Sequence, residues 1–271
     1  ALTNALLKVR EAGYVLSEDW PRHGVTAQEL GLHEDAGTVR LPADVQLHDL
    51  RYIQNSLPQQ LSVQLLDYTD STNSEMMRRR TKFGGADQLI LTEYQSAGRG
   101  RRGKVWLGDY GRNIAMTLGI EFPLNLNALG GLSSVVGLAL LQALELEGVD
   151  AQLKWPNDVW VKEQKLAGIL VELVPTKIGT LAIVGIGINV DLTDVQASKI
   201  DQSVTTLRRL GALISRDDLV VAVHASLLKN FEVYFSEGFA PFLDAFNSAH
   251  CLQDRAAILV LGTESQQGIV R

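Results

Sequence analysis

The stretch from residue 151 to 190 constrains this chain most, because strand-like segments at 152–155, 159–162, 166–174 and 180–190 follow one another with no helical pattern between them. Lys162-Glu163-Gln164-Lys165 reads as a hairpin turn between two of them. Upstream, 61–68 alternates like a strand, and 87–94 and 113–122 are two more strands. Asp70-Ser71-Thr72 caps a helix running to about Lys82, and 129–146 is a long, mostly apolar helix that ends at Gly148 and lies across a sheet. Residues 217–235 and 239–246 are helical. Strands clustered in sequence, with helices only occasionally between them, indicate an α+β fold rather than a regular parallel α/β fold.

The ends are less regular. Residues 2–12 form an amphipathic helix with Leu2, Leu6, Leu7 and Val9 on one face, stopped at Gly13 and begun without a cap. Residues 14–43 mix short apolar runs with Pro21, Gly24, Gly31, Gly37 and Pro42, and read as hairpin and linker rather than core. Residues 256–270 read as two short strands joined near Gly262-Thr263, the start of a small β domain. The expected division is therefore 1–43, 44–249 and 250–271.

Composition excludes several classes. No run of eighteen apolar residues and no signal-peptide pattern is present, so a soluble cytoplasmic protein with no membrane partner is expected. Cys251 is the single cysteine and the five histidines are scattered, which argues against a disulfide or a zinc cluster. A net charge of −6 argues against a surface that wraps nucleic acid. The cations are nevertheless bunched, at Arg78, Arg79, Arg80 and Lys82 and again at Arg99, Arg101, Arg102 and Lys104. Each group is either a solvated face or a pocket for a small polyanion, and glycines interrupt only the second.

That second group lies in Gly98-Arg99-Gly100-Arg101-Arg102-Gly103-Lys104-Val105-Trp106. It has the Gly-x-x-x-x-Gly-Lys spacing of a phosphate loop, but Val105 stands where a hydroxyl should hold magnesium, and a strand follows instead of a helix. A loop that folds over its ligand fits better, with arginines meeting phosphate through their side chains once anions offset their repulsion. Trp106 is either an apolar wall for the ligand or a core residue. In Lys154-Trp155-Pro156-Asn157-Asp158 and the following Lys165-Leu166-Ala167-Gly168-Ile169-Leu170-Val171-Glu172, Lys165 is either a phosphate contact or a hairpin surface residue, and Gly168 leaves room for a substrate chain. Gly185-Ile186-Gly187-Ile188-Asn189 lies within a strand and lacks the third glycine of a dinucleotide fingerprint.

In this order, Asp70-Ser71-Thr72-Asn73, Gln95 with 98–103, 154–158, 165–172 and 185–189 resemble the bacterial biotin protein ligases. The resemblance implies a mixed-sheet catalytic domain carrying helices. A partial winged-helix-like segment would precede it, and a small SH3-like β domain would follow. It assigns biotin to Ser71, Thr72, Asn73, Gln95, Gly98, Arg99, Gly100, Trp106, Gly168, Leu170 and Gly187. ATP falls to Arg101, Arg102, Lys104, Asn157, Asp158, Lys165 and Asn189, with Arg101 and Lys165 catalytic and Asp158 beside a magnesium ion.

The implied reaction forms biotinyl-AMP from biotin and ATP, then transfers biotin to a lysine of a biotin carboxyl carrier protein, a subunit of acetyl-CoA carboxylase. A homodimer is also implied, as is repression through operator DNA wherever a complete N-terminal domain exists. Residues 1–13 resemble the last helix of such a domain. Its helix offers only Lys8 and Arg10 as cations, so this chain is not expected to bind an operator well. Two features depart from the family: Val204 aligns where a tryptophan often stacks on adenine, and 256–271 matches only the beginning of the β domain. The rival readings are a lipoate protein ligase, which shares fold and chemistry, and a ligand-sensing DNA-binding regulator without catalysis.

Overall fold

The computed structural model describes residues 2–12, 14–21, 26–80, 87–261 and 264–270. The expected helix stop at Gly13, the Lys82 end of the second helix and the Gly262-Thr263 turn lie outside the described residues.

In chain order the elements begin with α1 (Leu2–Ala12), β1 (Tyr14–Leu16), β2 (His33–Asp35), β3 (Thr38–Arg40), α2 (Leu50–Ser56), β4 (Ser62–Leu66), α3 (Thr72–Arg79) and β5 (Gln88–Thr92). Next come β6 (Gly98–Arg99), β7 (Val105–Trp106), β8 (Ile114–Phe122), α4 (Leu132–Glu145), β9 (Gln152–Lys154), β10 (Asp158–Val161), β11 (Gln164–Pro175) and β12 (Thr180–Ile188). The chain continues through α5 (Asp194–Ala197), α6 (Arg216–Glu237), α7 (Leu243–Ala249), β13 (Ala256–Leu261) and β14 (Glu264–Ile269).

A seven-stranded sheet in the order β4-β5-β8-β12-β11-β10-β9 organises the molecule. β4 and β5 are parallel and the remaining neighbours antiparallel, so the sheet is mixed and the fold α+β. Alternation assigns its two faces. Ala182, Val184, Ile186 and Ile188 of β12 join the main core with Val135, Leu138 and Leu144 of α4 and Val220, Val223 and Phe231 of α6. On the opposite face, Ile183 packs with Ile90, Leu181 and Met76 of α3. The stretch Leu126–Glu145 is long and apolar enough to cross a membrane by composition, but most of α4 is buried against α6 and the sheet, where a core helix belongs. Gly148, with φ +72°, ends it by turning its N–H to Glu145 O.

The expected turn at 162–165 is tighter than its sequence suggests. Val161 pairs with Gln164, leaving Lys162 and Glu163 as a two-residue loop with both φ values positive, as a type I′ hairpin requires. Lys165 thus sits within β11 and not in the turn. Nor does the Asp70-Ser71-Thr72 cap form as expected. Ser71 is the N-cap but makes no side-chain cap bond, and Asp70 instead accepts both Arg78 Nη1 (2.8 Å) and Nη2 (2.7 Å). Arg79 pairs with Glu75, so Arg78 and Arg79 are neutralised within the helix surface, while Arg80 donates to Met77 O and Lys82 lies outside the described residues.

Within residues 14–40 the expected hairpin is present as β2 and β3, and what the structure corrects is the reading of this stretch as linker rather than core. β1, β3 and β2 form an antiparallel sheet that, with α1, buries Leu6, Val9, Val15, Leu30, Leu32 and Val39 around Tyr110 of the large domain. Strands of three residues are too short to show a period, which is why they read as irregular. At the other end, β13 and β14 pair as an antiparallel hairpin.

Candidate active site

The face of the sheet opposite α4 and α6 carries the site, because glycines alternate there with core residues. In β12, Gly185 and Gly187 point to this face while Ile186 and Ile188 enter the core. Gly187 pairs in register with Gly168 of β11, and Gly185 with Leu170 on one side and Thr117 on the other. A Cβ on Gly187 would lie 2.4 Å from the Trp106 ring and one on Gly168 3.0 Å from it, so the indole rests on bare backbone. A Cβ on Gly185 would meet Asn73 Oδ1 at 2.1 Å.

Above this floor lies a cavity of about 830 Å³. Its hydrogen-bonding end is built by the start of α3 and the turn after β5. Gln95 Oε1 accepts from Thr72 N (2.8 Å) and Thr72 Oγ1 (3.2 Å). Thr117 Oγ1 donates within reach of both Asn73 Oδ1 (2.7 Å) and Thr72 Oγ1 (2.8 Å), and Asn73 Nδ2 donates to Leu170 O (3.1 Å) and Glu172 Oε2 (3.0 Å). Ser71, Thr72 and Asn73 are buried, so their geometry is fixed before any ligand arrives.

The other end is cationic. Lys165, only 12% exposed in its side chain, places Nζ 2.8 Å from Asp158 Oδ1 and 5.6 Å from the Trp106 ring centroid. Backbone bonds from Lys165 N to Ser203 O (3.0 Å) and from Thr205 N to Lys165 O (3.0 Å) bring Val204 alongside. Asn189 Nδ2 donates to Lys165 O (3.3 Å) and Asn157 Nδ2 to Ile169 O (2.8 Å). These two amides therefore brace the backbone around Lys165.

The glycine-arginine segment is a small hairpin. β6 and β7 pair, Gly100 N donates to Lys104 O (2.7 Å), and a tight turn at Arg101–Gly103 puts Arg102 at φ +55° and Gly103 at φ +75°. The side chains of Arg101, Arg102 and Lys104 are exposed and form no hydrogen bond or ion pair with any described residue. Arg99 differs: Nη2 donates to Glu172 Oε1 (2.7 Å), and Nη1 reaches Glu172 Oε2 and Ser74 Oγ, both at 3.3 Å.

The cavity brings together all but one of the residues that the sequence assigns to biotin, ATP or magnesium, from Ser71, Thr72, Asn73 and Gln95 through the loop cations to Asn189; Gly98 lines a smaller adjoining cavity beneath the loop, and Arg78, Arg79 and Arg80 lie outside both. Residues 65–189 match the model of the biotin/lipoate A/B protein ligase family. The bifunctional ligase/repressor BirA of Escherichia coli K12 is 34% identical over 234 residues, covering 85% of this chain and 72% of BirA. The chain belongs to the biotin protein ligase family. The biotin–[acetyl-CoA-carboxylase] ligase of Paracoccus denitrificans is also 34% identical, over 76% of this chain and 88% of that protein. Among solved structures, the Aquifex aeolicus biotin protein ligase in complex with biotin and ATP superposes with a TM-score of 0.63 at 26% identity, covering 76% of this chain and 85% of that one.

For a biotin protein ligase, sequence reasoning overlooked Thr117 and Glu172. Thr117 carried a usable signal as a fully buried hydroxyl in the apolar run of β8. Ile200, Gln202 and the exposed apolar Ile258 and Ile269 of the terminal hairpin also line the cavity, and no local pattern marked them.

Proposed function

We propose that this chain activates biotin with ATP and passes it to a lysine of a biotin carboxyl carrier protein, with the residues of the cavity in the following roles. The observation that carries this reading is the cavity's polarity: a preformed hydrogen-bonding end whose one ion pair, Arg99 with Glu172, is internally neutral, and a cationic end, joined by a glycine floor under Trp106. A ureido group needs paired donors and acceptors in an otherwise apolar pocket, since each one left unmade costs about 1–3 kcal/mol. Thr72, Asn73, Gln95 and Ser71 supply them. The apolar tail of biotin runs along the indole of Trp106, which is itself seated on Gly168 and Gly187, directing its carboxylate toward Lys165.

In the first step a carboxylate oxygen attacks the α-phosphorus of ATP. A new P–O bond forms, the α–β bridge breaks, and pyrophosphate leaves. Two anions must meet, so Lys165 and Arg101 offset their repulsion and stabilise the developing charge. Arg102 and Lys104 hold the phosphates, and Val204 supplies an aliphatic wall beside the nucleotide. In the second step the carrier amine attacks the anhydride carbonyl, loses a proton and expels AMP. The closed loop keeps water from the anhydride. Asp158 is already paired with Lys165, and no group of three metal-binding side chains occurs among the described residues. The residues therefore fit a magnesium ion that arrives on ATP and takes at most Asp158 from the protein, where it would neutralise phosphate charge.

Lys165→Ala tests the assignment. Single-turnover formation of biotinyl-AMP should fall about a hundredfold or more, the effect of losing about 2.7–4 kcal/mol of transition-state stabilisation, while equilibrium binding of biotin without ATP stays near normal. A near-normal rate would make Lys165 a bystander. Lipoate adenylated in preference to biotin would move the protein to the rival ligase reading.

A further inference from the structure

One charge in the site has no part in the chemistry above. Glu172 lies two strand positions beyond Leu170 on the same face of β11, with its side chain 23% exposed. Its two oxygens meet two different parts of the pocket: Oε1 takes Arg99 Nη2, and Oε2 takes Asn73 Nδ2 as well as Arg99 Nη1. Asn73 cannot yield, since Thr117 Oγ1 and Leu170 O hold its other positions and Gly185 presses against its oxygen. Arg99 opens the glycine-arginine hairpin, and it is the loop cation that carries a carboxylate partner.

We propose that Glu172 is a positioning residue that clamps the base of the loop to the rigid wall of the biotin pocket through Arg99, so that only the turn from Gly100 to Lys104 moves when the loop closes over the activated intermediate. The proposal rests on the reading of the cavity given above. It also reassigns the Arg99 guanidinium, which is engaged with Glu172 and Ser74, so any contribution of Arg99 to biotin comes from its backbone. Losing the clamp would let the whole arm lift, and its main consequence would be poor retention of biotinyl-AMP rather than slow chemistry.

The test compares the full chain with Glu172→Ala, Glu172→Gln, Arg99→Met and the Glu172→Ala/Arg99→Met double variant. Release of preformed biotinyl-AMP, measured by dilution into excess unlabelled biotin, should speed up by about tenfold in Glu172→Ala, the order expected for loss of a charge-assisted pair. The release rate should rise by more than the adenylation rate falls. Glu172→Gln, which keeps an acceptor for Asn73 but loses the ion pair, should behave like Arg99→Met, and the double variant should be no worse than Glu172→Ala alone. In the absence of ligand, trypsin should cut after Arg101, Arg102 and Lys104, the sites common to all the variants, faster in each of them, with little change in melting temperature. Unchanged release and unchanged cleavage would overturn the clamp, as would changes that merely track lost thermal stability. A wild type that makes no biotinyl-AMP would break the reading of the cavity instead, and the trypsin comparison would still decide the clamp.

Discussion

Two clusters of cations in this molecule obey opposite rules. Where α1 meets β5 and α6, Glu93 is fully buried and accepts Arg10 Nη2 (2.8 Å), Arg216 Nη2 (2.8 Å) and His48 N (2.7 Å). Arg216 also donates to Asn113 O (2.9 Å) and Gln46 O (2.6 Å), Arg10 pairs with Asp67 as well, and His48 pairs with Asp217. Burial by itself would raise the Glu93 carboxyl, but Arg216, His48 and Arg10 outweigh it and hold the group down at about 2. In the glycine-arginine loop, by contrast, Arg101, Arg102 and Lys104 stand in water without carboxylates. At the junction the cations are matched by carboxylates within the fold, whereas the three loop cations beside the cavity are left unmatched.

The contrast breaks most readily at the junction. Glu93→Ala leaves the buried Arg216 guanidinium without its carboxylate and the half-buried Arg10 with Asp67 alone, and unfolding in urea should show a loss of about 3–5 kcal/mol. A loss below about 1 kcal/mol would mean that the network is no more than a surface pair.

Arg101→Ala should do the reverse. Biotinyl-AMP formation in a single turnover should fall by the equivalent of about 2.7 kcal/mol while stability moves by no more than about 0.5 kcal/mol. Comparable losses of stability from both substitutions would erase the distinction.

Acid sharpens it with a smaller effect. Because the Glu93 carboxyl is depressed from its ordinary 4.5 to about 2, its contribution is complete above 4.5 and disappears as pH falls through 2. His224, held by burial at about 4, is neutral in the fold but takes up a proton when unfolded below 6.5, so stability already declines from 6.5 toward 4. Urea midpoints measured across this range should fall in two stages for the wild type. Glu93→Gln should retain the upper stage and flatten the lower one. Parallel curves would show that Glu93 does not titrate with folding.

The same contrast explains what the sequence disclosed. Loop cations broken by glycines, and two glycines one residue apart in β12, act through local spacing, so Arg101, Gly185 and Gly187 were legible in the order of residues alone. So was the sheet, whose strands differ by a residue or two from their expected bounds. The junction was opaque because Arg10, Glu93 and Arg216 are ordinary charged residues scattered along the chain, and only tertiary packing makes them one object. Residues 14–40 misled for a related reason: their strands are stabilised by a shared core with Tyr110, a contact with no local trace. Glu172 lay in view within a recognised motif, yet its partners Arg99 and Asn73 come from two other segments.

The side-chain-free floor at Gly168, Gly185 and Gly187 bears on heredity as well as on binding. Any missense change at Gly185 or Gly187, whatever its chemistry, introduces the same first atom at a place already occupied by the amide of Asn73 or the indole of Trp106, and one at Gly168 crowds the same indole at 3.0 Å. Conservative and radical alleles should therefore share one phenotype, and a population carrying this gene should tolerate almost no coding variation there.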